Sequence, residues 1–556
     1  MTELLVVIVT GFVVIAAATL LGPRLRVAAP LVLVAIGVAA SFLPVFESVH
    51  VEPEWILEGV LPPLLYSSAV SMPSMNFRRE FGAISGLSVV LVVASALLLG
   101  LFFMLVVPGL GFAWGVALGA IISPTDAVAT SIVKRTAVSK RVVAMLDGES
   151  LLNDATALVL LRTAIVATAA TFSFWGSVGT FSYSVVVALV IGVLVGWLNL
   201  VVRKRVTDPA VNTVISFAVP FLASVPAEHL GASGLVAAVV AGLVTGIRAP
   251  RDLSPQNRLS DSQNWRTVEL VLEGAVFLTM GVQIKSIVEN VEHDHAGVGA
   301  AVLIAAGALL LTVLVRAAYI APLLAVLARR ARRRERMQPR VQDMRERMAM
   351  PEGVRETYGE VNSRGRRLSE RRLDRFAVRI TRLLADIDYF LRQPLGWRDG
   401  TAVVWAGMRG AVTVAAAQTL PEDTPQRSVL VLIAFAVALM SLLVQGGTIG
   451  LVLRLITPEV DGAAAAERTA TEWAGIMELL RTSAETVPEP PHPEGDPTSE
   501  GFAVAKAHRL AVIAAQRTVL LDERDNGTFD ADVLANALAN LDAAQIAIEM
   551  RGKLGG

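Results

Sequence analysis

Runs of about twenty apolar residues recur from Leu4 to Ile456, and they constrain this chain more than any other feature. Such runs cross a bilayer as helices, because a helix satisfies its backbone donors and acceptors internally. The composition agrees: 54% of the 556 residues are hydrophobic and the mean hydropathy is +0.59, above an ordinary soluble domain. The first run, Leu4–Leu21, contains the cleavage-like Ala16-Ala-Ala18. Its leading residues hold Glu3 and no Lys or Arg, and Arg24 and Arg26 follow it, so it reads as a retained helix and not as a signal peptide. The absence of cysteine excludes disulfides and thiolate metal sites.

About thirteen spans are expected, at roughly 4–21, 27–43, 55–71, 81–107, 111–133, 142–168, 178–202, 210–226, 230–248, 266–286, 297–328, 400–421 and 428–456. Basic residues fall in every second loop: Arg24/Arg26, Arg78/Arg79, Lys134/Arg135/Lys140/Arg141, Arg203/Lys204/Arg205, Arg248/Arg251/Arg258 and the arginine-rich 329–399. The alternate loops are nearly free of Lys and Arg, so the basic set faces the cytoplasm, the N-terminus lies outside and the C-terminal tail inside. Loop 329–399 reads as a solvated positive-inside segment with helix over Leu368–Leu391, or as a binder of anionic lipid headgroups. After Ile456 the chain reads as a small helical cytoplasmic domain: helices at 464–483, 501–523 and 531–550, a stiff Pro-rich linker from Val487, and a turn at Asp525-Asn-Gly527.

Polar residues cluster where they are most costly. The sixth span contains Asp147, Glu149, Asn153 and Asp154, and a charge at mid-bilayer costs about 2.5–3.5 kcal/mol even on the forgiving insertion scale. Asp154 lies about 20 Å along this helix from Arg141, near the bilayer centre, with Ser150 one turn before it on the same face. Glu149 and Asn153 share the adjacent face. In the fifth span, Ile122-Ser-Pro-Thr-Asp-Ala-Val-Ala129 interrupts an apolar helix, because Pro124 removes a backbone donor. In the twelfth, Gly407 and Gly410 bracket Arg409 and permit a second break or a close crossing. Paired interruptions point to an inverted-repeat transporter whose site lies where the broken helices cross. Arg316 in the eleventh span suits a structural pair with Glu149, which leaves Asp154 without a dedicated cation. An unpaired mid-membrane carboxylate is either protonated or holds a metal cation.

These segments resemble the cation:proton antiporter-1 family, and most closely its bacterial sodium/proton antiporters. The motifs are Gly148-Glu-Ser-Leu-Leu-Asn-Asp154, Ser123-Pro-Thr-Asp-Ala-Val-Ala129, Leu61-Pro-Pro-Leu-Leu65, Ala227-Glu-His-Leu-Gly-Ala-Ser-Gly234 and Gly407-Met-Arg-Gly-Ala411, and the resemblance covers about residues 1–456. It implies an all-α polytopic membrane protein and a homodimer. The dimer-forming part would be about 1–71 and 178–286, the mobile ion-binding core about 81–168 and 297–456, and the cytoplasmic helical tail 457–556. It implies that Asp154 binds the cation or the proton, with Asp126, Thr125 and Ser150 shaping the site. By the same resemblance Asn153 ties to the broken helix, Glu149 pairs with Arg316, and Arg409 stabilises the twelfth-span crossing. Some members carry a Glu in the third span after the Pro-Pro motif; here Ser67 stands where that acid would be sought. Asp147 and Arg162 remain unassigned.

The expected activity is Na+/H+ antiport at the plasma membrane for pH and sodium homeostasis, with K+ or Li+ as alternative cations, no cofactor and no nucleic-acid partner. Asn153 in place of a second acid favours electroneutral 1:1 exchange by elevator-type alternating access. An oxygen-only ligand set suits a hard cation. A channel would need a filter motif, which is not visible. An intramembrane hydrolase would need a base, but all six histidines (His50, His229, His293, His295, His492, His508) fall in expected loops or the tail, so no enzyme is expected. A cation sensor would use this same site.

Overall fold

The computed structural model describes residues 2–25, 28–43, 52–126, 128–134, 136, 138–169, 174–293, 297–348, 370–456, 462–490 and 499–550, and every regular element among them is helical. Among these residues, nine helices are long and apolar enough to cross a membrane, and Ala29–Ala40 and Phe112–Ile122 are shorter apolar helices. The chain divides into two compact units.

The first unit comprises Met1–Asp252, Leu259–Leu323 and Gly396–Pro458. It opens with α1 (Thr2–Leu25) and α2 (Ala29–Ala40). A π-helical turn, Trp55–Val60, leads into α3 (Leu61–Ser71), whose first turn holds the two prolines that lack donors. Helices α4 (Ser74–Ser85) and α5 (Val92–Val106) form one continuous rod through a second π-turn. The expected fifth span is two pieces, α6 (Phe112–Ile122) and α7 (Val128–Val133), separated at Ser123–Asp126 as Pro124 requires. Then come α8 (Lys140–Ala169), α9 (Phe174–Arg203), α10 (Pro209–His229) and α11 (Gly234–Asp252). Leu61, Leu65 and Ala69 of α3 pack with Leu151 and Ala155 of α8 and with Leu235 and Val239 of α11, which fixes the third span beside the acid-bearing helix.

Helix α12 (Pro255–Val282) begins about ten residues before the expected span. Hydropathy misses this start because Asn257, Asp261, Asn264 and Trp265 are polar. Asp261 and Trp265 are nonetheless buried, and their partners lie in other helices: Asp261 Oδ2 is 3.0 Å from Arg203 Nη2, and Trp265 Nε1 donates to Ser216 Oγ at 2.9 Å. Two basic residues assigned to loops are corrected in the same way. Arg203 is fully buried at the end of α9, and Arg141 is buried with Nε 2.6 Å from Glu80 Oε1. Helix α13 (Ile284–His293) follows, and then α14 (Val298–Met348). The second of these runs twenty residues past its expected end at residue 328. Its Arg, Glu and Gln residues are good helix formers and carry it through Pro339.

The second unit comprises Leu253–Arg258, Leu324–Leu395 and Glu459–Gly556. Residues 349–369 of the arginine-rich loop lie outside the described residues. Helix α15 (Glu370–Arg392) fits the expected helix and buries Ile380, Leu384 and Ile387 against Val341 of α14. The Arg334 guanidinium sits 3.9 Å from the centre of the Phe390 ring. Back in the first unit, the twelfth span is again two pieces, α16 (Trp397–Trp405) and α17 (Ala411–Gln418). The last span is α18 (Arg427–Ser441), a π-turn and α19 (Gly447–Ile456). The tail forms the three expected helices, α20 (Gly462–Glu485), α21 (Ser499–Asn526) and α22 (Ala531–Met550), around Ile476, Leu520, Leu534 and Leu541. Gly527 after α21 has φ of +77°, as the expected turn needs.

Candidate ion-binding site

The two interrupted helices cross at their breaks. The amide of Asp126 donates to the carbonyl of Met408 at 2.7 Å, joining one non-helical segment to the other. Gly410 makes this approach feasible, since a Cβ there would run into the Asp126 carboxylate; at Gly407 it would meet Arg316 Nε at 2.6 Å. Arg409 secures the crossing as expected. Its Nε donates to Ile122 O at 3.0 Å, its Nη1 to Gly407 O, and its amide to Ser441 Oγ at 2.9 Å. Ser441 donates in turn to Gln445 Oε1 at 2.7 Å, so α18 props the second break through residues that periodicity did not flag.

Helix α8 sends two faces to this crossing. On one, Glu149 and Arg316 form a bidentate pair, with Nη2 2.8 Å from Oε2 and Nη1 on Oε1; each residue is 2% exposed. Arg316 Nε also donates to Val403 O at 2.9 Å. Thr125 donates to Glu149 Oε1 at 3.3 Å, and Asn153 Nδ2 donates to Thr125 Oγ1 and, at 3.4 Å, to Thr125 O. Asn153 is therefore tied to the broken helix, and the Thr125 hydroxyl is engaged on both sides.

The other face differs. Asp154 is 7% exposed and has no hydrogen bond or ion pair with any described residue; it shares its cavity with Asp126, another acid. Asp126 accepts from the Val128 amide at 2.9 Å, so a backbone donor supports its charge, while none supports that of Asp154. Arg409 stands at the crossing with its donors on carbonyls. Asp154, Asp126, Thr125 and Ser150 line one cavity of about 110 Å3, together with Thr413, whose buried hydroxyl has no partner among the described residues. Ser150 Oγ donates to Asp147 O at 3.1 Å, leaving its oxygen lone pairs available. Among these mostly apolar walls the polar groups of the four residues and Thr413 are all oxygens, the donor type that hard cations prefer.

The same cavity has two acids that the sequence reading passed over, Glu269 and Glu273 of α12. The available signal was a pair of acids at i and i+4 in an apolar helix. Ser67 Oγ donates to Glu269 Oε2 at 3.4 Å. Asp147 pairs with Lys134 at 3.0 Å, and Arg162 stands 3.7 Å from Glu228 beside a separate cavity of about 490 Å3.

The sodium/hydrogen exchanger transmembrane family profile matches residues 10–350 and 375–455. The chain is 28% identical over 476 residues to an uncharacterised Na+/H+ exchanger of Mycobacterium tuberculosis, covering 83% of this chain and 76% of that one. It is 30% identical over 280 residues to the sodium, potassium, lithium and rubidium/H+ antiporter of Bacillus subtilis, covering 48% of this chain and 41% of that one. The sodium proton antiporter MjNhaP1 of Methanocaldococcus jannaschii has a similar fold, with a TM-score of 0.54 at 16% identity over 82% of this chain and all of that one. With the family profile matched along most of its length, this chain belongs to the sodium/hydrogen exchanger family.

Proposed function

We propose that this protein is a plasma-membrane Na+/H+ antiporter in which Asp154 alternately holds one Na+ and one proton. The observation that carries the reading is the Asp154 carboxylate, buried in the cavity wall at the crossing with no cation or donor of its own. Asp126, Ser150 and the crossing backbone complete the cation's oxygen shell, while Glu149, Asn153, Arg316 and Arg409 hold the crossing in shape. Thr125 contributes through its position in the wall, its hydroxyl already serving Glu149 and Asn153.

One titrating carboxylate is neutral with either Na+ or H+ bound. Asp126 carries the same charge in both half-cycles, so its contribution cancels and exchange is electroneutral, 1:1. Asn153 beside Asp154 is not a second acid on that helix, and the reading assigns proton transfer to Asp154 alone among the carboxylates of the cavity. The core around α4–α8 and α14–α19 moves as an elevator against the part built from α1–α3 and α9–α12, within a homodimer of thirteen-span protomers with outside N-termini and cytoplasmic tails. Potassium or lithium is the second reading, favoured by the Bacillus subtilis relative, a sodium, potassium, lithium and rubidium/H+ antiporter.

The test is proton flux in proteoliposomes, followed with a pH-sensitive dye as each alkali cation is added in turn. The reading expects saturable proton movement with Na+, at a rate independent of imposed voltage. Non-saturating, voltage-driven flux marks a channel, and a voltage-dependent exchange rate contradicts the 1:1 cycle.

A further inference from the structure

The proposed cycle uses Asp154 and leaves the carboxylates of α12 without a role. Glu269 and Glu273 are one turn apart on one helix face, and both line the Asp154 cavity. Glu269 accepts a hydrogen bond from Ser67 of the third span at 3.4 Å, and the short hydroxyl there leaves room for a carboxylate arriving from another helix. Asp126 and Asp154 line the same cavity, so four carboxylates from three segments face one space. Two wall groups point to what travels along them: the Asp154 carboxylate, 7% exposed, and the fully buried Thr413 hydroxyl, neither of which has a partner among the described residues. A desolvated alkali cation satisfies oxygens of this kind.

We propose that Glu269, with Glu273 one turn further along α12, captures the alkali cation and delivers it to Asp154. This rests on the antiport reading above. A capture ligand raises the local cation concentration without forming part of the species that crosses, so it governs apparent affinity more than turnover.

The experiment is Na+-driven proton flux in proteoliposomes for the full chain and four variants. Glu269→Gln and Glu273→Gln each raise the KM for Na+ about tenfold, with the maximal rate falling by less than about twofold. Adding Ser67→Glu to Glu269→Gln returns the KM toward that of the unaltered protein. Ser67→Ala, which disturbs packing least, raises the KM about two- to threefold by releasing Glu269. Stabilisation of the detergent-solubilised protein against heat by NaCl requires correspondingly more salt in each variant with a raised KM. Unchanged KM in both Gln variants overturns the proposal, and so does a lowered maximal rate at constant KM, the mark of a structural role. An unaltered protein with no cation-driven proton flux overturns the antiport reading and this proposal together. Flux in the unaltered protein with KM unmoved by the variants overturns this proposal alone.

Discussion

Two groups of buried charge in the first unit are resolved in opposite ways. Around Arg203 the charge is paired: Nε donates to Asn212 Oδ1 at 2.8 Å, Nη1 to Ser216 Oγ at 3.3 Å, and Nη2 lies 3.0 Å from Asp261 Oδ2 as an ion pair. Asn212 returns a hydrogen bond to the Arg203 carbonyl at 2.9 Å, and Trp265 closes the ring through Ser216 at 2.9 Å. Around Asp154 no described residue offers a cation or a donor, and its cavity holds further acids. The contrast teaches which buried charges shape the protein and which serve its cargo. A buried cation with its own counter-charge specifies one packing arrangement and needs no ion from solution to neutralise it. An unsatisfied carboxylate is stable only when a proton or a cation arrives from solution.

The comparison breaks if the first group tolerates loss of a partner. Asp261→Asn leaves the fully buried Arg203 without its counter-charge and is expected to destabilise the protein by about 3–5 kcal/mol, read as a lowered unfolding midpoint in detergent. Glu149→Gln, which strands Arg316, acts in the same direction and by a similar amount, while combining it with Arg316→Met recovers most of the loss, since an apolar pair needs no counter-charge. A smaller effect is expected at the crossing. Gly410→Ala forces a Cβ against Asp126 and costs about 1–3 kcal/mol, with exchange reduced because the broken helices separate. The smallest belongs to the half-exposed Lys134–Asp147 pair, where Lys134→Ala changes stability by about 0–1 kcal/mol.

Local chemistry was legible in the sequence. Pro124 announced the first break, and Gly407 with Gly410 announced the second, because each acts on its own backbone. The Glu149–Arg316 pair was legible too, since two opposite charges in separate apolar helices have few ways to be satisfied. What depended on distant partners was hidden. Arg141 and Arg203 read as loop cations because nothing near them in sequence shows that Glu80 and Asp261 arrive from other helices, 61 positions away in the first case. The early start of α12 was hidden for the same reason, its polar face being buried against Arg203. Glu269 and Glu273 carry an ordinary helical spacing, and only the fold turns that face toward Asp154.

The central claim is that the unpaired carboxylate of Asp154 is the group that exchanges Na+ for H+. Asp154→Asn removes it while leaving a neutral side chain of similar size, so folding is expected to be preserved, with an unfolding midpoint no lower than that of the unaltered protein. Cation-driven proton flux in proteoliposomes of this variant measures the claim directly. The account predicts no exchange above that of protein-free vesicles with Na+, K+ or Li+, and saturable Na+/H+ exchange retained by Asp154→Asn would contradict it.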